Sequence, residues 1–125
     1  MQKLQTCYLD IAEYVMNRSP RTQMLVHGYD YPVARSDGPW LGRPFLRRGF
    51  DMRTDKALIA DILAYLVDRF YAMLEDVSDR HTNVTVVDIR NIVRGRWTDE
   101  LHPELEASKD IAAFYRNVID GYPSV

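Results

Sequence analysis

Thr82-Asn83-Val84-Thr85-Val86-Val87-Asp88 is the stretch on which the fold turns. Its β-branched side chains are stiff at χ1 and pack best on a pleated surface. The run is also too short for a helix with a buried face, so it reads as a buried strand. The segment before it, about 55–77, carries Leu58/Ile59, Ile62/Leu63, Leu66/Val67, Phe70, Met73/Leu74 and Val77 at three- and four-residue steps. That is a wide apolar stripe on a long helix. Further upstream, Thr22-Gln23-Met24-Leu25-Val26-His27 is a second short strand, ended by Gly28. Two buried strands joined through a long helix are expected to pair in parallel.

Helices flank this unit at both ends. Leu4, Cys7/Tyr8, Ile11/Ala12 and Val15 mark one over about 3–17, stopped by Pro20. Cys7 falls within that apolar face and reads as a small core residue rather than a nucleophile. Pro103 suits the first turn of a last helix, about 103–119, because a missing N–H costs nothing there. Leu105, Ile111/Ala112, Tyr115 and Val118/Ile119 supply its inner face. The expected order is α-β-α-β-α. The expected fold class is α/β, a three-layer α/β/α arrangement around a short parallel sheet, as a single domain over residues 1–125. Ligands of such sheets gather beyond the carboxyl ends of the strands. That topology sets His27–Pro32, Asp88–Arg90 and Asp99–His102 on one rim.

Composition narrows the function classes. The 125 residues are 46% hydrophobic and 27% charged, which excludes a disordered chain. Sixteen Lys and Arg against 18 Asp and Glu leave a net charge of −2, without the cationic excess of a nucleic-acid or membrane-surface binder. Cys7 is the one cysteine, so neither an intrachain disulfide nor a cysteine zinc cluster can form. The polar start, Met1-Gln2-Lys3-Leu4-Gln5-Thr6, does not read as a secretory signal, and no apolar run is long enough for a membrane span. The expected setting is cytoplasmic, with no cofactor.

Between the first strand and the long helix, residues 28–54 show no sustained period. A loop of that length is often functional. Its aromatics are Tyr29, Tyr31, Trp40, Phe45 and Phe50, and its arginines are Arg35, Arg43, Arg47, Arg48 and Arg53. The aromatics either pin the loop to the core or wall a substrate pocket.

The residues best suited to chemistry are Asp99-Glu100-Leu101-His102-Pro103. In a turn before a helix, side chains three apart can meet. A carboxylate at Asp99 would then accept a bond from one imidazole nitrogen of His102, fixing its tautomer and stabilising the imidazolium. The competing reading is a helix cap beside a surface histidine. Arg90, Arg94 and Arg96 could hold an anion. Asp88, Asp99 and Glu100 lie close in sequence, so a neutralised surface network is the expectation. His27 and Asp30 with Asp99 and His102 could form a metal site, but the spacing fits no metal motif. The expectation is instead that Asp30 bonds loop amides while Tyr29 and Tyr31 pack.

Trp97-Thr98-Asp99-Glu100-Leu101-His102-Pro103 before a terminal helix resembles the last block of SGNH/GDSL-type hydrolases. The resemblance extends to His27-Gly28-Tyr29-Asp30-Tyr31-Pro32, to Gly38-Pro39-Trp40-Leu41 and to Val86-Val87-Asp88-Ile89-Arg90, in order and over nearly the whole chain. It implies the carboxyl-terminal half of a flavodoxin-like fold, with Asp99 as triad acid and His102 as general base. From topology and the loop's composition, the expected substrate-binding or pocket rim is His27, Tyr29, Asp30, Tyr31, Trp40, Asp88 and Arg90. The departure is equally plain. The chain holds no G-D-S nucleophile block and no G-x-N-D oxyanion block, and of Ser19, Ser36, Ser78, Ser108 and Ser124 none sits in a glycine-containing elbow after a strand. The expected function is therefore the acid–base portion of an ester or acetyl-ester hydrolase, inactive alone. It would act on a small-molecule ester once completed by the absent half, as a homo-oligomer or with a complementing segment. A non-catalytic binding or assembly module is the alternative, and a small metal-dependent enzyme a further one.

Overall fold

The computed structural model describes residues 1–122. Its elements are α1 (Gln2–Arg18), β1 (Met24–Val26), α2 (Gly42–Arg47), α3 (Lys56–Arg80), β2 (Val84–Val86) and α4 (Leu105–Asp120). β1 and β2 pair in parallel, with Met24 opposite Val84, Leu25 opposite Thr85 and Val26 opposite Val86. The expectation of an α/β chain with a short parallel sheet holds. The order gains one helix, because α2 sits inside the stretch read as irregular. Its six residues, Gly-Arg-Pro-Phe-Leu-Arg, are too few to display a helical period. Gly49, at φ +87°, turns the chain away after it.

Tertiary contacts gather into two compact units. The first comprises Met1–Gly28 and Asp68–Asp88, and so contains α1, the strand pair and the second half of α3. Its core is Ala12, Val26, Met73, Leu74, Val77 and Val84, with Tyr8, Leu9, Met24, Phe70 and Val86 packed around it. Leu74 and Val77 are fully buried. Burying such side chains stabilises by about 1.5–3 kcal/mol each. A side-chain carbon at Gly28 would lie 2.8 Å from ring atoms of Phe70 and Tyr71, so the chain leaves β1 at a point where only glycine fits. The strand pair continues briefly as Val87 N–H donates to the carbonyl of Val26 (2.8 Å). Beyond it, His27 and Asp88 follow at the same end of the two parallel strands.

Cys7 is not a core residue. It is exposed, as are Leu4 and Ile11, and the covered face of α1 runs through Tyr8, Leu9, Ala12, Val15 and Met16. The apolar stripe alone leaves the helix free to rotate by about one residue. The methyl of Ala12 and the bond from Asn83 Nδ2 to the Ala12 carbonyl (3.1 Å) settle the rotation.

The second unit holds Tyr29–Val67 and the stretch from Ile89 onward. Within it, Ile59, Leu63 and Val67 of α3 are buried, whereas Leu58, Tyr65 and Leu66 are more than half exposed. A smaller cluster joins Val93, Trp97 and Ala107, with Ile111 against it. Phe45 and Phe50 meet edge to face at 5.1 Å. Pro103 lies before α4 rather than in its first turn. Its backbone pairs with Trp97 in an antiparallel bridge. Thr98 N–H donates to the His102 carbonyl (2.8 Å) and Glu104 N–H to the Arg96 carbonyl (2.9 Å), which keeps the chain extended until Glu104. Among the described residues no helix is long and apolar enough to cross a membrane.

Candidate active site

The bridge between Trp97 and Pro103 closes a narrow loop with Asp99, Glu100 and Leu101 at its tip. Aspartate in a turn readily accepts amides two and three residues on. Asp99 Oδ1 does so, taking the N–H groups of Leu101 and His102 at 2.8 Å each. The same turn brings the imidazole back over the carboxylate, and His102 Nδ1 lies 2.7 Å from Asp99 Oδ2. Because an ionised carboxylate only accepts, Nδ1 carries the proton and donates. Nε2 is then the acceptor, and among the described residues it has no hydrogen-bond partner. The Leu101 amide, the imidazole and the His102 amide together hold the Asp99 carboxyl down, from 3.8 to about 2. Both side chains are substantially exposed, at 69% for His102 and 43% for Asp99.

Glu100, between these two, points the opposite way and is 1% exposed. Its Oε1 accepts the N–H groups of Arg35 (2.8 Å) and Gly42 (2.7 Å), and its Oε2 those of Trp40 and Leu41 (2.9 Å each). Burial pushes the carboxyl up, but the four amides outweigh it and hold the group below its ordinary value. Gly38 follows from this cage, and Gly42 from the close approach of the segment to its own Arg35 carbonyl. A side-chain carbon would lie 1.9 Å from the Glu100 carboxyl carbon at Gly38, and 1.6 Å from the Arg35 carbonyl oxygen at Gly42. The Arg35 guanidinium completes a reciprocal link, donating to the carbonyls of Thr98 (2.8 Å) and Trp97 (2.7 Å).

Asp30 has a similar role in a neighbouring segment. It is buried and accepts the N–H groups of Tyr31 and Asn91 (2.7 Å each) and of Val93 (2.6 Å). Asp30 bonding loop amides matches the expectation from sequence. It braces a turn in which Asn91 and Arg94 both take left-handed φ, 66° and 51°. Trp97 Nε1 donates to the Tyr31 carbonyl (3.2 Å).

The remaining rim candidates divide. Tyr29 and Trp40 are exposed, and Tyr31 and Arg90 are half-buried. His27, in the first unit, is exposed, and its Nδ1 donates to the Gly28 carbonyl (2.7 Å). Asp88, also in the first unit, is exposed. Glu100 and Asp30 thus anchor the loop through its backbone amides. Among the described residues the expected neutralised network of arginines with Asp99 and Glu100 does not form, since Asp99 is engaged by His102 and Glu100 by backbone amides. Arg96 pairs with Asp110 of α4 (2.7 Å) and donates to the carbonyls of Ile92 and Val93. Arg94 donates to the Asn91 carbonyl.

Among the described residues no three His, Cys, Asp or Glu side chains gather as a metal site. Asp30 would be a poor ligand, since both its oxygens are committed to amides. Ser78 Oγ donates to the Val84 carbonyl, and Ser124 lies outside the described residues. Among the described residues no serine hydroxyl reaches His102. A cavity of about 150 Å³ in the second unit is lined by Pro32, Val33, Ala34, Met52, Ile59 and Leu63, apart from Asp99 and His102.

Sequence reasoning missed Glu100, Arg35 and the need for glycine at 38 and 42. The available signal was Gly38-Pro39-Trp40-Leu41-Gly42, where two glycines flank a short irregular run and mark a close approach of backbone to another group. The approaching group could not be read from spacing.

Comparison with protein-family models, with curated proteins and with solved structures yields no match.

Proposed function

We propose that the chain carries the general base and its orienting acid for an ester or acetyl-ester hydrolase of the SGNH/GDSL type. The nucleophile and the oxyanion donors would come from another segment or chain. The observation that carries this reading is the 2.7 Å bond between Asp99 Oδ2 and His102 Nδ1, which leaves Nε2 exposed and ready to accept a proton. In such a reaction Nε2 takes the proton of an attacking hydroxyl as the carbon–oxygen bond forms, then returns it to the departing alkoxide. Asp99 stays ionised through this cycle and stabilises the imidazolium. The sequence has no G-D-S and no G-x-N-D block, so the base has nothing to activate within this chain. Loss of even one oxyanion donor typically costs about 10²–10³ in rate.

The finer fold reading belongs to the same proposal. The two parallel strands and their helices would belong to a larger three-layer, flavodoxin-like sheet. The outer edges of a two-stranded sheet favour addition of further strands. So do the exposed apolar side chains Leu4, Ile11 and Tyr14 along α1. The added partner would be a complementing segment or a second copy. An exposed, unbridged Cys7 suits a reducing, cytoplasmic setting.

A second reading, a non-catalytic module, has its own support. Asp99 Oδ1 is already occupied as a turn cap by two backbone amides, so the carboxylate has a structural reason to be there. The test expresses the chain together with the coding sequence that precedes Met1 in the genome and assays p-nitrophenyl acetate hydrolysis. Turnover that requires the added segment and is lost in His102→Ala supports the hydrolase. Turnover by the chain alone, abolished by His102→Ala, overturns the division of labour. A preceding sequence without a nucleophile block, and no turnover, favours the module.

A further inference from the structure

We propose that Glu100 and Arg35 are positioning residues for the Asp99–His102 pair, acting as a two-way clamp between the 97–102 loop and the 35–42 segment. The inference deepens the hydrolase reading and rests on it for its catalytic meaning, although the clamp itself is a matter of geometry. One direction is the Glu100 carboxylate, which gathers four amides from the 35–42 segment. The other is the Arg35 guanidinium, which reaches back to the carbonyls of Trp97 and Thr98, the two residues before Asp99. The same residue, Arg35, is thus donor to Glu100 through its backbone and donor to the loop through its side chain.

Three features exceed what a loop needs merely to stay folded. A buried carboxylate is costly unless its oxygens are fully bonded, and here all four of those bonds come from the 35–42 segment alone. The segment opposite must hold glycine at 38 to admit it, because an added carbon there would lie 1.9 Å from the Glu100 carboxyl carbon. The clamp also brackets the dyad in sequence, with Thr98 on one side of Asp99 and Glu100 on the other. The Asp99–His102 bond depends on a turn whose amides at Leu101 and His102 face inward to Oδ1. If Glu100 were released, the tip of the loop would be free to open and those amides would turn to water. The exposed ring of Trp40 is carried on the clamped segment, because its own amide is one of the four. Clamp and dyad would therefore loosen together.

Carbon-detected NMR titration of the Asp99 carboxyl and nitrogen NMR of the His102 ring provide the test, on the whole chain. In the wild type the carboxyl should titrate near 2, and the ring should be held as the Nδ1–H tautomer. In Glu100→Gln the Gln NH₂ faces backbone donors it cannot satisfy. The Asp99 midpoint should climb toward the ordinary 3.8, and the ring should become a mixture of tautomers. Arg35→Met, which removes only the return direction, should give a smaller change of the same sign, and Arg35→Lys should restore some of it. Variants that lose thermal stability yet keep the wild-type Asp99 midpoint and His102 tautomer would overturn the proposal. Should Glu100→Gln not fold, the Arg35→Met titration decides alone. Hydrogen exchange in the wild type needs no variant. The amides of Leu101 and His102 should open with those of Trp40, Leu41 and Gly42, within about threefold in protection, as members of one cooperative unit. Exchange that differs by more than about a hundredfold between the two groups would overturn the clamp. If the clamp holds but the completed enzyme shows no His102-dependent turnover, the hydrolase reading fails and the positioning of the pair stands.

Discussion

The two compact units are held by different chemistry. The first has an apolar core on a parallel strand pair, with Ala12, Leu74 and Val77 fully buried. The second is drawn together at two points by buried carboxylates, Asp30 and Glu100, that collect backbone amides from segments far apart in sequence. Apolar burial is non-directional, tolerates small shifts and is insensitive to pH. A carboxylate cage is directional and fails as soon as the carboxylate is lost or protonated. A loop-rich unit that must hold two polar side chains at 2.7 Å has use for the second kind of restraint.

Perturbing each unit at its own anchor sharpens the contrast. Glu100→Ala should have the largest effect. It leaves four amides without their acceptor, that of Gly42 buried and the other three part-buried; an unsatisfied buried donor costs about 1–3 kcal/mol, so a loss of about 3–5 kcal/mol is expected in urea denaturation. Gly38→Ala should approach it, because the added carbon occupies the position of the carboxylate. Leu74→Ala is the matching change in the first unit and should cost about 2–5 kcal/mol by opening a cavity. If Glu100→Ala cost less than about 1 kcal/mol, the distinction between the units would collapse.

Acid should act on the second unit next. Three of its carboxyls, Asp51, Asp99 and Glu100, are held below their ordinary values. For each, the unfolded chain binds the proton more readily than the folded one. Their contribution is therefore fully present above the unfolded values, 3.8 for the aspartates and 4.5 for Glu100, and is lost as pH falls through the folded values. Urea midpoints should fall between about pH 5 and pH 2, and Glu100→Gln should flatten that dependence. An unchanged slope in Glu100→Gln would assign the acid response to other groups.

A subtler prediction concerns Asp99 alone. His102→Ala should raise its titration midpoint only some of the way to 3.8, because the Leu101 amide is the leading cause of the lowering and the His102 amide persists. Full recovery would mean that the turn itself depends on the imidazole. The smallest effect is expected at Gly49→Ala. No atom lies within 4 Å of the added carbon, and only the φ of +87° opposes it, at about 1 kcal/mol. It serves as the control for the glycines that face the cage.

Much of the first unit was legible. The β-branched run at 82–88 and the shorter run at 22–27 became β2 and β1, each trimmed to three paired residues. The long stripe at 55–77 became α3, extended to Arg80. Periodicity predicts elements well when a single apolar face decides them. It could not predict the rotation of α1, which exposed Cys7, because Leu4, Cys7 and Ile11 are as apolar as the residues that were covered instead. In the second unit the pairing of Asp99 with His102 was readable because a turn brings residues three apart together. The buried role of Glu100 was not, since its amide partners lie 58 to 65 residues away.

The sequence by itself thus determined the α/β class, the parallel strands, the amphipathic helices and the meeting of Asp99 with His102. Each of these follows from local periodicity or from turn geometry. Only the tertiary structure decided which way Glu100 points, why position 38 must be glycine, and how Arg35 returns to the loop. Those depend on distant backbone amides converging on one carboxylate, and a hydrogen bond to backbone leaves no mark in the identity of the residue that donates it.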